Sequence, residues 1–211
     1  MADERIDYYD VTGKQLGTVM KSEAHAKGIW HKAVHCWILD PERETLLFQL
    51  RASTKALYPN CLDISAAGHI ATGEKPGVSC VREIEEEIGL TVDPKQLIYL
   101  GCNTQVDDQG EIKNREMNET YLLPISFAES EFHLQPEELD GLYEIEIAQA
   151  IALFTGQQDE IPCQAVAVAN DKELRTKCGR NHFTPFTPHY FLTILIMMER
   201  LIEGREPLAI S

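Results

Sequence analysis

The sequence predicts an α+β protein, an α/β/α sandwich in which a mixed β-sheet lies between helices. Three observations carry this. Short β-prone stretches punctuated by turn residues recur between residues 6 and 67. A capped amphipathic helix follows at Pro76–Ile88, and a second one-faced helix ends the chain.

Taken in order, residues 6–11 and 15–20 flank Thr12-Gly13 and read as a hairpin within an N-terminal stretch of 1–22. Residues 31–39 and 45–50 are stronger strands joined by the turn Asp40-Pro41-Glu42-Arg43, and a Pro59-Asn60 turn leads to another strand over 62–67. Pro76 suits the first turn of a helix and Gly89 its C-terminal cap. Strands resume at 97–101 and 121–127, with 102–116 and 155–186 read as loops. Thr187-Pro188 begins a second main helix over about 187–204 as N-cap and first-turn proline. Tyr190, Phe191, Ile194, Leu195, Met198, Leu201 and Ile202 share one face of it, a core stripe rather than a cofactor box. No repeat or linker divides the chain, so 1–211 reads as one domain with its core at about 30–150.

Lys and Arg total 19 against 34 Asp and Glu, a formal charge of −15. Such a surface repels nucleic acid and anionic membranes, which excludes both as general partners. An enzyme of phosphate esters built on it needs divalent cations to invert the local field. Cys36, Cys61, Cys80, Cys102, Cys163 and Cys178 show no CxxC spacing and read as free thiols of a reducing compartment. A charged N-terminus without an apolar stretch, and no run long enough to span a bilayer, predict a cytoplasmic protein.

The chemistry is concentrated in residues 68–90. On the predicted helix, Glu83, Glu86 and Glu87 stand at i, i+3 and i+4, so their carboxylates share a face, while Val81, Ile84 and Ile88 share another. Clustered like charges destabilise a helix unless compensated, and a hard divalent cation compensates them well. An isolated EIEEE run would read as a solvated acidic face. Its surroundings decide otherwise, because Gly68, Glu74, Arg82, Glu83, Ile84, Glu86, Glu87, Gly89 and Leu90 complete the pattern G-x5-E-x7-R-E-U-x-E-E-x-G-U. Chance gives such a match on the order of once in a million chains of this size.

The segment resembles the Nudix box, and the resemblance covers roughly residues 30–150. It implies a Nudix fold and hydrolysis of a diphosphate linkage with Mg²⁺ or Mn²⁺ as cofactor. By matching positions, Glu83 and Glu87 are the principal metal ligands, and Glu86 is a further ligand or the general base. Glu74 and Gly68 complete the metal site, and Arg82 orients a glutamate through its planar guanidinium. Glu119, downstream of the box, is the candidate for an additional ligand or base, with Glu116 as its alternative.

Flanking stretches, residues 30–37 and 47–55, resemble the branch that includes isopentenyl diphosphate isomerase. That likeness implies diphosphate binding by Arg51 and Lys55. It also implies a second metal site at His31 and His69, with Glu119 beside them and His25 matching after a one-residue shift. Two departures separate the chain from the isomerases. Their catalytic cysteine falls on Ala67, and a ligand glutamate falls on Met117. An alanine transfers no proton, so the sequence favours the hydrolase over an isomerase or a catalytically silent diphosphate-binding module. The expected partner is a small-molecule diphosphate, and a homodimer through the N-terminal hairpin is compatible with the sequence. Trp30, Trp37, Phe183 and Phe186 read as core before ring-stacking, and His133, His182 and His189 as structural or surface residues.

Overall fold

The computed structural model describes residues 3–128, 131–169, 174–185, 189–206 and 208–210. Its first half runs β1 (Arg5–Tyr9), β2 (Gln15–Met20), α1 (Lys21–Lys27), β3 (His31–Asp40), β4 (Thr45–Arg51), β5 (Leu62–Asp63), β6 (Ala66–His69) and α2 (Pro76–Ile88). Then come β7 (Ile98–Gln109), β8 (Ile112–Pro124), β9 (Leu139–Glu146), α3 (Ile147–Phe154), β10 (Glu160–Pro162), β11 (Gln164–Val168), β12 (Lys177–Gly179) and α4 (Tyr190–Ile202).

Strand β3 is the hub of the main sheet. It pairs antiparallel with β4 and β6, meets β1 at His31, and pairs in parallel with β8 from His31↔Glu116 to Leu39↔Pro124. The parallel pair makes the sheet mixed, as expected. Because side chains alternate along a strand, β3 serves two layers. Val34, Cys36 and Ile38 join Cys80, Ile84 and Ile88 of α2 in one core. Trp37 and Leu39 join Ala150 and Leu153 of α3 and Tyr190, Phe191 and Ile194 of α4 in the other. Trp37 is fully buried, with Phe48 and Phe191 edge-on to it at 5.7 Å each. At the opposite end of that face the side chains are His31, Ala33 and His35, and the face turns polar there.

Several expectations need correction. Residues 102–116 are not a loop: β7 and β8 form one continuous antiparallel hairpin through Gln109↔Ile112. Polar side chains occupy both faces of its outer half, so alternation gives no signal there. Among the described residues four α-helices stand where two main ones were expected. α1 lies directly against β8, and α3 packs beside α4. The strand expected over 62–67 is two short pieces, and 155–186 contains three short strands, of which β11 extends the main sheet beside β9. Thr187-Pro188 and Phe186 lie outside the described residues, and the described helix begins at Tyr190. Among the described residues, no helix is long and apolar enough to cross a membrane.

The cap of α2 supplies a stability test. Gly89 has φ 76°, and a Cβ there would stand 2.6 Å from His133 Cβ and 2.9 Å from its backbone N and O. Gly110, at φ 60° in the β7–β8 turn, has nothing within 4 Å. Gly110→Ala should cost roughly 1–2 kcal/mol from its left-handed backbone alone. Gly89→Ala should add a clash worth about 1–3 kcal/mol. Urea-unfolding midpoints measure both, and equal losses would refute the close approach at Gly89.

Candidate active site

Helix α2 presents its glutamates along the outer edge of β6. Pro76 opens the helix and Gly89 closes it in the left-handed conformation, its N–H bonded to the Glu85 carbonyl. Glu87 is buried and its Oε2 accepts the Ala67 backbone N–H at 3.1 Å. Glu83 lies over Gly68 so closely that a Cβ there would stand 2.0 Å from its carboxyl carbon. Only a residue without a side chain allows this approach. Glu86 is exposed.

Arg82 ties the set together. Its Nη1 donates to Glu83 Oε1 at 2.8 Å and to Glu86 Oε2 at 3.1 Å. Its Nε and Nη2 grip the two oxygens of Glu74 at 3.2 and 3.0 Å, and Nη2 also donates to the His69 carbonyl. Glu74 further accepts the Ser79 hydroxyl, so its oxygens face Arg82 and Ser79, and it acts on the site through them. Burial pushes the Glu74 carboxyl up, but the hydrogen bonds from Arg82 and Ser79 outweigh it and hold the group below its usual range. Glu83 is raised by burial despite Arg82. Glu87 is raised well above the carboxylate range by burial and then by the charge of Glu83. Arg82 is paired with Glu83, whereas the buried Glu87 has no ion pair among the described residues, and a divalent cation is a charge that would suit it.

A second cluster lies on the neighbouring surface. The side chains of His25 from α1, His31 from β3, His69 from β6 and Glu116 from β8 bring one ligand atom each within 4.8 Å of one another. His25 Nε2 and His69 Nε2 are 3.1 Å apart, and Glu116 Oε1 is 3.6 Å from the Nε2 of both His31 and His69. His31 Nδ1 faces the Ile29 carbonyl at 2.8 Å, which turns its Nε2 toward the cluster. That buried Nε2 has no hydrogen-bond partner. Burial, then the His31 ring, lowers His25 to about 4, and burial lowers His69 further. Burial opposes ionisation of Glu116, but the histidines hold it well below the usual carboxylate range. Three imidazoles and one carboxylate form a donor set suited to a transition metal.

Strand β6 joins the two clusters. Ala67 N–H holds Glu87, Gly68 admits Glu83, the His69 carbonyl receives Arg82, and the His69 ring belongs to the histidine set.

The expected residues distribute as follows. Glu74, Arg82, Glu83, Glu86 and Glu87 come together over Gly68, and His25, His31 and His69 converge. Glu119 does not join the histidines. It lies on the opposite face of β8, where Lys32 Nζ and Tyr99 Oη each donate to it at 2.6 Å. Glu116 takes that place, and Met117 shares the face of Glu119. Reading the strand back through residue 116 would have found this, since side chains i and i+2 share a face. Lys55 is paired with Glu138, and both stand close enough to Glu87 to influence its carboxyl. Arg51 donates to Asp63 at 2.9 Å and to the Leu57 carbonyl at 3.1 Å. Trp37 and Phe183 are core. His182 accepts the Gly179 N–H, and His133 packs on Gly89, both structural. All six cysteines are free.

A family model for the NUDIX domain matches residues 29–163. An uncharacterised Nudix hydrolase of Clostridium acetobutylicum is 30% identical over 206 residues, covering 96% of this chain and 99% of its own. An isopentenyl-diphosphate Δ-isomerase of Corynebacterium diphtheriae is 30% identical over 146 residues, 67% of this chain and 78% of its own. The crystal structure of DR0079 from Deinococcus radiodurans has the same fold, with a TM-score of 0.54 at 18% identity, over 80% of this chain and 94% of that one. The intact box, its geometry on α2 and the family match over most of the chain lead to one conclusion: the chain belongs to the Nudix hydrolase family.

Proposed function

We propose that the protein hydrolyses a diphosphate linkage in a nucleoside diphosphate-X or related organic diphosphate, with Mg²⁺ or Mn²⁺ held by the helix glutamates. The observation that carries this is the glutamate set clamped by Arg82 over Gly68, with Glu87 buried and lacking a positive partner. Glu83 and Glu87 are the ligands, joined by Glu86 and by the Gly68 backbone, and Glu74 supports them through Arg82. The cation, when bound, supplies Lewis-acid polarisation of the phosphoryl oxygens and acidifies water. Glu86, exposed and with one oxygen on Arg82, accepts the proton of the attacking water as that water adds to phosphorus and the bridging P–O bond breaks, the bridging oxygen leaving on the departing group. Lys55 leaves Glu138, and Arg51 leaves Asp63, to bind the substrate's phosphate oxygens. Crowded carboxylates titrate together, so the base belongs to a coupled set. In this reading Glu119, paired with Lys32 and Tyr99, supports the sheet beside the site. His25, His31, His69 and Glu116 hold a second divalent cation, for which the unpartnered His31 Nε2 is the fit.

A second reading, a prenyl diphosphate isomerase, is favoured by the histidine set. Against it stands Ala67, which offers no proton where the isomerases are expected to carry cysteine.

Three outcomes test the proposal. Glu83→Gln and Glu87→Gln should each lower Mg²⁺-dependent phosphate release roughly 10²–10⁴-fold, as loss of several kcal/mol of transition-state stabilisation requires. Full turnover in both variants would sink the assignment, and interconversion of isopentenyl and dimethylallyl diphosphate without phosphate release would support the isomerase instead. Gly68→Ala should displace Glu83 and weaken Mn²⁺ binding by about tenfold or more, read by titration calorimetry, while the melting temperature stays near wild type because only a flexible side chain must move. His31→Ala should remove one of two bound Mn²⁺ ions per chain, and unchanged stoichiometry would exclude the second site.

A further inference from the structure

Away from the glutamate and histidine clusters, two pairs of cysteine thiols touch, Cys36 with Cys80 and Cys163 with Cys178. Their settings differ. Cys36 and Cys80 are both fully buried in the core under α2, and burial raises the Cys36 thiol well above its ordinary value. Cys163 and Cys178 belong to the small sheet of β10 and β12, where the backbone itself brings them together. Register pairs Ile161 with Cys178 and Pro162 with Lys177, and the Cys163 N–H continues the ladder to the Thr176 carbonyl at 3.0 Å. Cys163 therefore stands opposite Thr176, and Cys178 is two residues along on the same face. Diagonal neighbours on an antiparallel pair are within side-chain reach of each other.

Three features single out this pair for oxidation. Cys163 keeps 7% of its surface exposed and Cys178 none, so a small oxidant meets Cys163 first. The Cys178 S–H donates to Cys163 and, with the charge of Arg175, outweighs burial and holds that thiol below its ordinary value. Cys178 is raised in turn by the same bond and by burial. Cys163 Sγ also lies 3.8 Å from the Arg175 carbonyl, and Arg175 keeps a buried Nη1 without a hydrogen-bond partner among the described residues. A neighbouring cation favours the thiolate, which is the reactive form.

We propose that Cys163 and Cys178 are a modification site, a dithiol that a peroxide oxidises to a disulfide closing residues 163–178 into a loop. The Cys163 thiolate attacks one peroxide oxygen, the O–O bond breaks and hydroxide leaves, giving a sulfenic acid. The Cys178 sulfur, losing its proton, then attacks the Cys163 sulfur and expels the hydroxyl as water. In sum, two thiols and one hydrogen peroxide give one disulfide and two waters, with sulfur oxidised and peroxide oxygen reduced. The closed loop contains β11, at the edge of the main sheet, and Arg175. Arg175 donates from its backbone N–H to Tyr143 Oη at 3.3 Å and from Nη2 to the Asn60 carbonyl at 3.4 Å. The bond ties this segment to the end of β10, and a dithiol reductant releases it.

The test treats the reduced full-length protein with hydrogen peroxide, blocks remaining thiols with N-ethylmaleimide in denaturant, and maps unreduced tryptic peptides by mass. Free thiols should fall from the six of the reduced chain by two. The Cys163 peptide should be linked to the Cys178 peptide, two hydrogens lighter than their sum, and dithiothreitol should restore every thiol. Cys178→Ser should stop at a Cys163 sulfenic acid that dimedone labels, and Cys163→Ser should slow thiol loss about tenfold or more. Oxidised wild type should melt about 5 °C or more above the reduced protein, with no such shift in either serine variant. Thiols that all survive a large peroxide excess, a Cys36–Cys80 link that forms first, or equal rates of thiol loss in wild type and Cys163→Ser would each overturn the proposal. Should a variant not fold, the wild-type peptide map decides the question alone.

Discussion

The arrangement depends on one guanidinium among carboxylates. Arg82 is hydrogen-bonded to Glu74, Glu83 and Glu86 and to the His69 carbonyl, so a single side chain fixes the loop, the helix and β6 relative to one another. Without it, four acidic groups would crowd one edge of a protein that already carries a formal charge of −15. The planar fork matters, because an ammonium cannot hold several oxygens in fixed directions. Arg82 organises the carboxylates without neutralising Glu87, which remains buried and short of positive charge. Arg82 thus fixes the positions of the carboxylates and leaves the charge of Glu87 unpaired among the described residues.

Around that clamp the sheet divides its labour by strand alternation. One face of β3 gives Val34, Cys36 and Ile38 to the α2 core. The other gives Trp37 and Leu39 to the α3–α4 core at one end and His31, Ala33 and His35 to a buried, more polar layer at the other. The buried network of His35, Tyr190 and Trp37 marks the boundary: the Tyr190 hydroxyl lies 2.7 Å from His35 Nδ1 and 3.2 Å from Trp37 Nε1. Helix α4, far along the chain, thereby closes the floor behind the histidine set.

How much of this the sequence disclosed follows from where local signals are strong. Helix α2 was legible because Pro76, Gly89 and the two faces of its apolar and acidic residues agree. The hairpin β7–β8 was not, since Asn103, Gln105 and Asp107 line a polar interior while Thr104 faces solvent, and period-two alternation vanishes when both faces are polar. The resemblance pointed to Glu119 with Glu116 as the alternative, and Glu116 is the one beside the histidines, three residues away and so on the other side of the sheet. Helix α1, seven residues with no side-chain cap, is too short to announce itself, yet it delivers His25. The hydrogen bonds of Asp63 to Arg51 and of Glu138 to Lys55 join residues far apart in the chain, and no local pattern encodes them.

The origin of His25 carries a consequence for how such a site changes over time. The family match begins at residue 29, so His25 is contributed by a segment outside it, whereas every glutamate of α2 lies inside. The leading segment can be exchanged, shortened or re-registered with the helix glutamates left intact. The histidine set can thus change through the helix that carries His25 while the strands that carry His31, His69 and Glu116 stay as they are.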